Sequence, residues 1–331
     1  MYTNLHMESY HPIKIGLSLP HIGEAASVES ISYAARFADS EGFDSLWVID
    51  RILWPAEPQT SYPPSPDGSW PEVYQNVFDP IETLSYVAGI THRIKLATGI
   101  IDMLYQNPLI LANRLATLDQ LSQGRLLLGL GLGHSKDEFQ ASGVPFENRG
   151  QRADEYLEIL KKVWYNDTVE HKGKFYNIPK SKVGPKPYQK KIPIYLAGFA
   201  PKALERIINS NANGWVAIPQ LSMDGFQQGR DYLRNAAKEN GRDPQTVEFP
   251  SLVFPEVTEN DLGEDRQLMN GSVQQIAHDI KELAKEGVNH VNLVFDFSSH
   301  APDLKKRLRY SKQIKDALIP SVLEIQKEVK V

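Results

Sequence analysis

No cysteine occurs among the 331 residues, which excludes disulfides, thiolate metal sites and cysteine nucleophiles. No apolar run approaches the length needed to cross a bilayer, and the polar stretch Met1–Pro12 lacks the apolar core of a signal peptide. A cytoplasmic protein is therefore expected. Excess positive charge is also missing. Lys+Arg number 36 against 41 Asp+Glu, a formal net charge of -5, which argues against nucleic acid or an anionic membrane as the main partner. The nine histidines form neither His-x-His nor His-Glu-x-x-His, so no metal is expected. Gly-x-Ser-x-Gly and P-loop patterns are absent as well.

What is present is an alternation of strand-like and helix-like segments from end to end. Apolar runs at Ile13–Leu19, Ser45–Ile49, Ile94–Ile101, Leu126–Leu130, Ile192–Leu196, Trp215–Ile218, Val247–Val253 and His290–Phe295 read as eight buried strands. Such near-continuous apolar runs suit parallel strands covered on both faces. Helices are marked by their caps. Ser27 opens one, and Asp79-Pro80-Ile81-Glu82 opens another, with Glu82 expected to close a capping box. Asn107-Pro108 begins a helix that stops at Gly124, and Ser272 caps a later one. Eight βα repeats favour an α/β fold of the closed (β/α)8 TIM-barrel type over a doubly wound open sheet. Two interruptions are too long for simple connections. Leu53–Val77, after strand two, is rich in proline and aromatics (Trp54, Tyr62, Trp70, Tyr74) and should be a lid at the catalytic face. Tyr165–Lys191, before strand five, should contain a hairpin over Thr168–Ile178 turning at Gly173, followed by a Lys- and Pro-rich stretch.

Several residues stand where a barrel carries its chemistry. Asp50 ends strand two, where an acid can hold a cofactor amide, accept a proton or cap the next loop. Gly99, inside strand three, suggests a bulge or a close backbone approach beside Thr98 and Ile100. Gly129, Gly131 and Gly133 alternate on one side of strand four and beyond it, which fits either tight barrel packing or a cofactor ring. They do not complete a dinucleotide fingerprint, because the third position is His134 in one register and Lys136 in the other. His134 follows the strand, as a structural or a catalytic histidine. Asp137 and Glu138 begin a helical stretch and would favour its dipole. Arg125, at the start of strand four, reads as a cap at the stability face or a partner for an acid. The turn Ala197-Gly198-Phe199-Ala200-Pro201 leads into a helix whose first N–H groups suit a phosphate, or is simply a tight βα turn. A glycosidase barrel using Asp50, Asp102 and Glu138 is a competing class, as is a flavin binder without catalysis.

The stretch Asn107 to Glu138, NPLILANRLATLDQLSQGRLLLGLGLGHSKDE, resembles the signature of the bacterial-luciferase-like flavin and deazaflavin oxidoreductases. Pro193–Gly198 and Asn213-Gly214-Trp215 are similar to that family's fifth and sixth strands. The resemblance covers essentially the whole chain, and implies one luciferase-like barrel domain over 1–331, a small-molecule substrate and a homodimer. It implies hydride transfer with coenzyme F420, or alternatively an FMN-dependent monooxygenase. Leu132 stands where many FMN users carry an arginine for the phosphate, which favours F420. On this resemblance Asp50 and His134 are the catalytic candidates. Asp50, Thr98, Gly99, Ile100, Gly133, Asp137, Glu138, Ala197, Gly198, Phe199 and Ala200 would line the cofactor. It further implies a cis non-proline bond at Gly99–Ile100, and leaves Lys180, Lys182, Lys186, Lys190 and Lys191 to meet an acidic F420 tail if their loop reaches the catalytic face. Where the family often has Asp-His, this chain has Asp50-Arg51.

Overall fold

The structure is a computed structural model describing residues 13–65 and 67–328, without the side chains of 319–328. The stretch Met1–Pro12, read above as lacking a signal core, lies outside the described residues, as do Pro66 and 329–331. Eight parallel strands form the barrel: β1 Lys14–Ser18, β2 Ser45–Val48, β3 Lys95–Asp102, β4 Leu126–Gly131, β5 Ile194–Ala197, β6 Gly214–Val216, β7 Pro250–Val253 and β8 His290–Leu293. Their hydrogen-bonded order runs β6-β5-β4-β3-β2-β1-β8-β7. Parallel bridges Gly214↔Glu248 and Ala217↔Ser251 join the two ends. The seventh strand is shorter than the apolar run suggested, since a 3-10 turn at Pro244–Thr246 leads into it.

The surrounding helices are α1 Val28–Ser40, α2 Pro80–Ile90, α3 Pro108–Leu121, α4 Lys136–Ala141, α5 Arg149–Tyr165, α6 Pro201–Asn209, α7 Met223–Glu239, α8 Val273–Lys285 and α9 Leu304–Glu328. Their apolar stripes pack on the outward side chains of the strands, such as Leu17, Leu46, Leu96, Leu128 and Leu196. A separate inner cluster of Trp47, Ala97, Tyr195, Val216, Leu252 and Val294 plugs the barrel. Trp47 fits because Gly16 has no side chain: a Cβ there would lie 2.3 Å from the indole nitrogen. At the N-terminal end of the plug, His290 Nε2 and Trp47 Nε1 both meet the Ser45 hydroxyl.

Local details confirm some of the expected signals and correct others. Ser27 and Ser272 cap α1 and α8, the latter with a complete capping box through Gln275. Asp79 caps α2 by accepting from the N–H groups of Ile81 and Glu82. The expected box there does not close, because Arg114 takes the Glu82 carboxylate at 2.5 Å. Gln123 and Gly124 both adopt positive φ and turn the chain from α3 into β4. The hairpin forms from antiparallel strands Val169–Lys172 and Asn177–Ser181. The Lys-rich stretch after it does not gather at the catalytic face. Lys186 Nζ donates to the carbonyls of Val163 and Asn166 at the end of α5, and Gln189 binds Asp119 and Leu126 at the opposite end of the barrel. The conditional role for these lysines against an acidic tail is therefore withdrawn.

Arg125 takes the structural alternative. Its guanidinium donates to the Ser122, Ile94 and Ala88 carbonyls and to the Thr91 hydroxyl, tying α2, α3 and β3 to the start of β4. Arg125→Met should strand these buried acceptors and lower stability by about 2–4 kcal/mol in urea denaturation, leaving ligand binding at the far face intact. A change below 0.5 kcal/mol, roughly the level of an ordinary surface substitution, would refute this role.

Candidate active site

The C-terminal ends of β2, β3 and β4 carry a buried acidic cluster with one cation at its centre. Arg51, just past β2, donates through Nη1 to Asp102 Oδ2 and Glu138 Oε2, both at 3.3 Å. Asp102 closes β3 and also accepts the Gly133 N–H. Its own N–H donates to Asp50 Oδ2 at 3.2 Å. Glu138 is fully buried in α4, with Oε1 taking the Ile52 N–H and Oε2 the Tyr105 hydroxyl. Ser135 caps α4 by accepting from the Glu138 N–H, which fixes that turn beneath the mouth.

Burial and mutual repulsion shift these groups. Burial, with Asp102 nearby, pushes Asp50 up to about 8, so it holds its proton at neutral pH. Burial raises Asp102 to about 6, opposed by Arg51 and reinforced by Glu138. Burial, aided by the positive charges of Arg51 and Arg149, lowers His134 to about 4, so its ring is neutral.

The segment after β2 folds over this cluster as an aromatic cover. Tyr62, Trp70 and Tyr74 pack on one another, and the Arg51 guanidinium lies 5.1–5.9 Å from the three ring centres. His134 stacks on Trp70 at 5.4 Å and 12°. The cover is latched to α4: Gln59 N–H donates to the Asp137 carboxylate, and the Lys136 N–H donates to the Thr60 hydroxyl. Phe297 continues the aromatic wall from Tyr74 to Phe254.

β3 and β4 meet through an irregularity. Their register shifts between Thr98 and Ile101, giving the bulge expected at Gly99. The peptide there is trans, since the cis bond among the described residues is Gly184–Pro185. The bulge makes the bend without isomerisation, and Gly99 is closely packed there: a Cβ would lie 3.2 Å from the Val48 carbonyl and the Ile49 side chain. Gly129 and Gly131 are filled by protein: a Cβ at Gly129 would meet the Gly99 carbonyl at 2.3 Å, and one at Gly131 the Ile100 side chain at 2.5 Å. Tight barrel packing is the alternative realised at both positions. Gly133 has φ 75 and lies against the Tyr105 hydroxyl.

Because β2, β3, β4 and β5 are neighbours, the candidate segments stand side by side along half of the mouth. Asp50 is nearly buried, and the Thr98 hydroxyl is satisfied by the Gly129 N–H and carbonyl. Ile100 packs on the inner plug. Asp137 binds the cover, and Glu138 supports Arg51, both as hydrogen-bonding partners within the protein. At the end of β5, Gly198 has φ 126, Phe199 is exposed, and Ala200 starts α6 without a side-chain cap. Full burial and saturated oxygens leave Glu138 unable to act as one of a pair flanking a glycosidic bond. Sequence reasoning underrated Asp102 and missed Tyr105 and Arg149. For Asp102 the signal was its place at the end of an apolar strand. Tyr105 enters only through the 3-10 turn Met103–Tyr105.

Residues 12–287 match the family described as luciferase-like monooxygenase. An uncharacterized protein of Mycobacterium tuberculosis is 34% identical over 188 residues, 56% of this chain and 67% of that protein. An F420-dependent glucose-6-phosphate dehydrogenase of Amycolatopsis mediterranei is 28% identical over 228 residues, 66% of this chain and 62% of that enzyme, so the match spans less than two thirds of its length. Among solved structures, a monooxygenase from Streptomyces bottropensis superposes with TM-score 0.77 at 20% identity, covering 94% of this chain and 100% of that one.

The raised Asp50 has a consequence for stability. Folded, it keeps its proton up to about pH 8; unfolded, it loses it near its ordinary 3.8. Between these values the folded state binds more protons, so this group makes stability fall as pH rises. Asp50→Asn keeps the acceptor for the Asp102 N–H and removes the titration. The variant should gain on the order of 1–3 kcal/mol over the parent at pH 8, and little at pH 4, in paired urea melts. Parallel pH profiles for the two proteins would mean that Asp50 is ionised in the folded chain.

Proposed function

The chain belongs to the luciferase-like monooxygenase family, whose members are oxidoreductases, and from that premise we propose that it transfers a hydride between bound coenzyme F420 and a small organic substrate. The observation that carries this reading is that one face of the barrel bears both Asp50, at the end of β2 and held protonated by burial, and His134, beyond β4 and held neutral by burial, with the end of β3 between them. Hydride transfer to or from a small alcohol or carbonyl requires a matching proton movement, and a group that can give a proton and one that can take it, on the same face of the barrel, meet that need.

The residues present fit a phosphate-bearing flavin or deazaflavin. The N-terminus of α6 has no side chain across it, and a Cβ on Gly198 would lie 2.8 Å from Ala203, so the turn keeps its backbone open. In this reading Gly198–Ala200 hold the phosphate, while Ile100 and Gly133 flank the ring. When bound, the cofactor supplies the carbon that accepts or releases the hydride. Asp50 holds its proton on Oδ1, because Oδ2 accepts the Asp102 N–H. Neutral His134 accepts the substrate's proton on its ring nitrogen Nδ1, and the aromatic cover of Tyr62, Trp70 and Tyr74 keeps bulk water away. Thr98 and Gly99 set the bulge behind the ring, and Asp137 and Glu138 act from behind by fixing the cover and Arg51.

Leu132 favours F420 over FMN, since it packs on the outer core and brings no charge to a phosphate. The competing reading, an FMN-dependent monooxygenase, draws on the likeness to the Streptomyces bottropensis monooxygenase. The proposal includes a cytoplasmic homodimer. In its support, no described helix is long and apolar enough to cross a membrane, and Val28, Tyr33, Tyr86 and Ile110 expose apolar surface on α1, α2 and α3.

Side-by-side titration at equal salt should show F420 binding more tightly than FMN. Tenfold tighter FMN would replace this reading with the monooxygenase one. With F420 bound, Asp50→Asn and His134→Ala should each cut turnover by roughly a hundredfold. Unchanged turnover in both would remove them from the chemistry.

A further inference from the structure

Buried donors without partners collect on one side of the mouth. Arg51 Nε, His134 Nε2 and Arg149 Nη1 all lack a hydrogen-bond partner. Leaving a buried donor unsatisfied costs about 1–3 kcal/mol, so three of them in one corner call for a ligand. They are neighbours. His134 and Arg51 pack on the same two rings, Tyr62 and Trp70, and the charges of Arg51 and Arg149 both act on His134. The side chain of Arg51 is nine-tenths buried.

We propose that His134 and Arg149, backed by Arg51, form an oxyanion subsite that takes a carboxylate of the substrate. Arg149 is built for this. Its guanidinium lies 3.6 Å over the Phe146 ring, a stacking that fixes the plane of its donors. The same residue opens α5, a 17-residue helix whose N-cap, Asn148, makes no side-chain cap, so the positive end of the helix adds to its charge. Lys136 Nζ lies 5.6 Å from the same Phe146 ring, adding a second cation to the corner. A carboxylate received here would meet Arg149 Nη1 and His134 Nε2 as donors, the imidazole carrying its proton on Nε2. The remainder of the substrate would lie along the aromatic cover, beside Asp50.

That the anion belongs to the substrate rests on the reading above, which places the cofactor phosphate at Gly198–Ala200, past the end of the neighbouring strand β5. The existence of the subsite does not. A phosphate and a carboxylate share the required chemistry, so the test must separate them.

Benzoate and its neutral isostere benzamide are the probes, read by Trp70 fluorescence and by the His134 ring signals in NMR, with the cofactor titrated separately on the same samples. Benzoate should bind at least tenfold more tightly than benzamide and shift the His134 signals. Arg149→Met should abolish that preference without weakening cofactor binding, and Arg149→Lys should restore part of it. Should the Met variant fold poorly, the Lys variant and His134→Gln carry the test, each with a reduced preference. Equal binding of the two probes, or a preference that survives Arg149→Met, overturns the subsite. Competition of benzoate with FMN but not with riboflavin would assign the anion to the cofactor phosphate and overturn the substrate assignment. Loss of F420 binding with the benzoate preference intact would count against the cofactor reading alone.

Discussion

A single guanidinium, that of Arg51, sets how three barrel strands end. It comes from β2, yet it binds the carboxylate that closes β3 and the one that α4 brings back after β4. Two buried carboxylates facing each other would repel, and removing their shared cation would force one to take up a proton or the turn to open. The aromatic cover then settles on the face of that cation, so the geometry of Tyr62, Trp70 and Tyr74 follows from the same group. Charge neutralisation and lid placement are therefore one arrangement.

The cluster inverts ordinary solution chemistry. A carboxyl that is anionic in water stays protonated at Asp50, and an imidazole that is half-charged near neutrality in water stays neutral at His134. Burial is the leading cause at both, while neighbours of like sign, Asp102 in one case and the two arginines in the other, push the same way. Such paired displacement is how a site runs acid and base steps at one pH. The fold itself does not select the cofactor, since one barrel hosts several chemistries.

Much of this was legible in the chain. Eight apolar runs, the caps at Ser27, Asp79 and Ser272, and the Gly124 stop fix the barrel, because burial on both faces and helix capping act locally. The bulge at Gly99 was legible for the same reason. Other features depend on contacts between distant residues. Glu82 had a local partner within reach and took Arg114 instead. Gly99–Ile100 needed no cis bond, because the register shift against β4 supplied the bend. The lysines of the second insertion sit at the wrong end of the barrel because Lys186 and Gln189 find helix and strand ends there. Asp102, Tyr105 and Arg149 acquire their setting only when β3, α4 and α5 converge, and no spacing in the sequence encodes that convergence.

Gly129 and Gly131 deserve a different reading once the bulge is known. Each is a socket for the backbone or side chain of β3, and the same stretch of β3 ends in Asp102, whose carboxylate reaches the Gly133 amide. A side chain in either socket would push β3 outward and carry Asp102 away from both that amide and Arg51. The spacing of small residues in one strand thus meters the ionic bonding of its neighbour. For anyone redesigning the mouth, these two positions behave as adjustment screws: one added methyl group, pressed at Gly131 against the Asp102 carboxylate and at Gly129 against the β3 backbone, would reset the charge balance of the acid cluster.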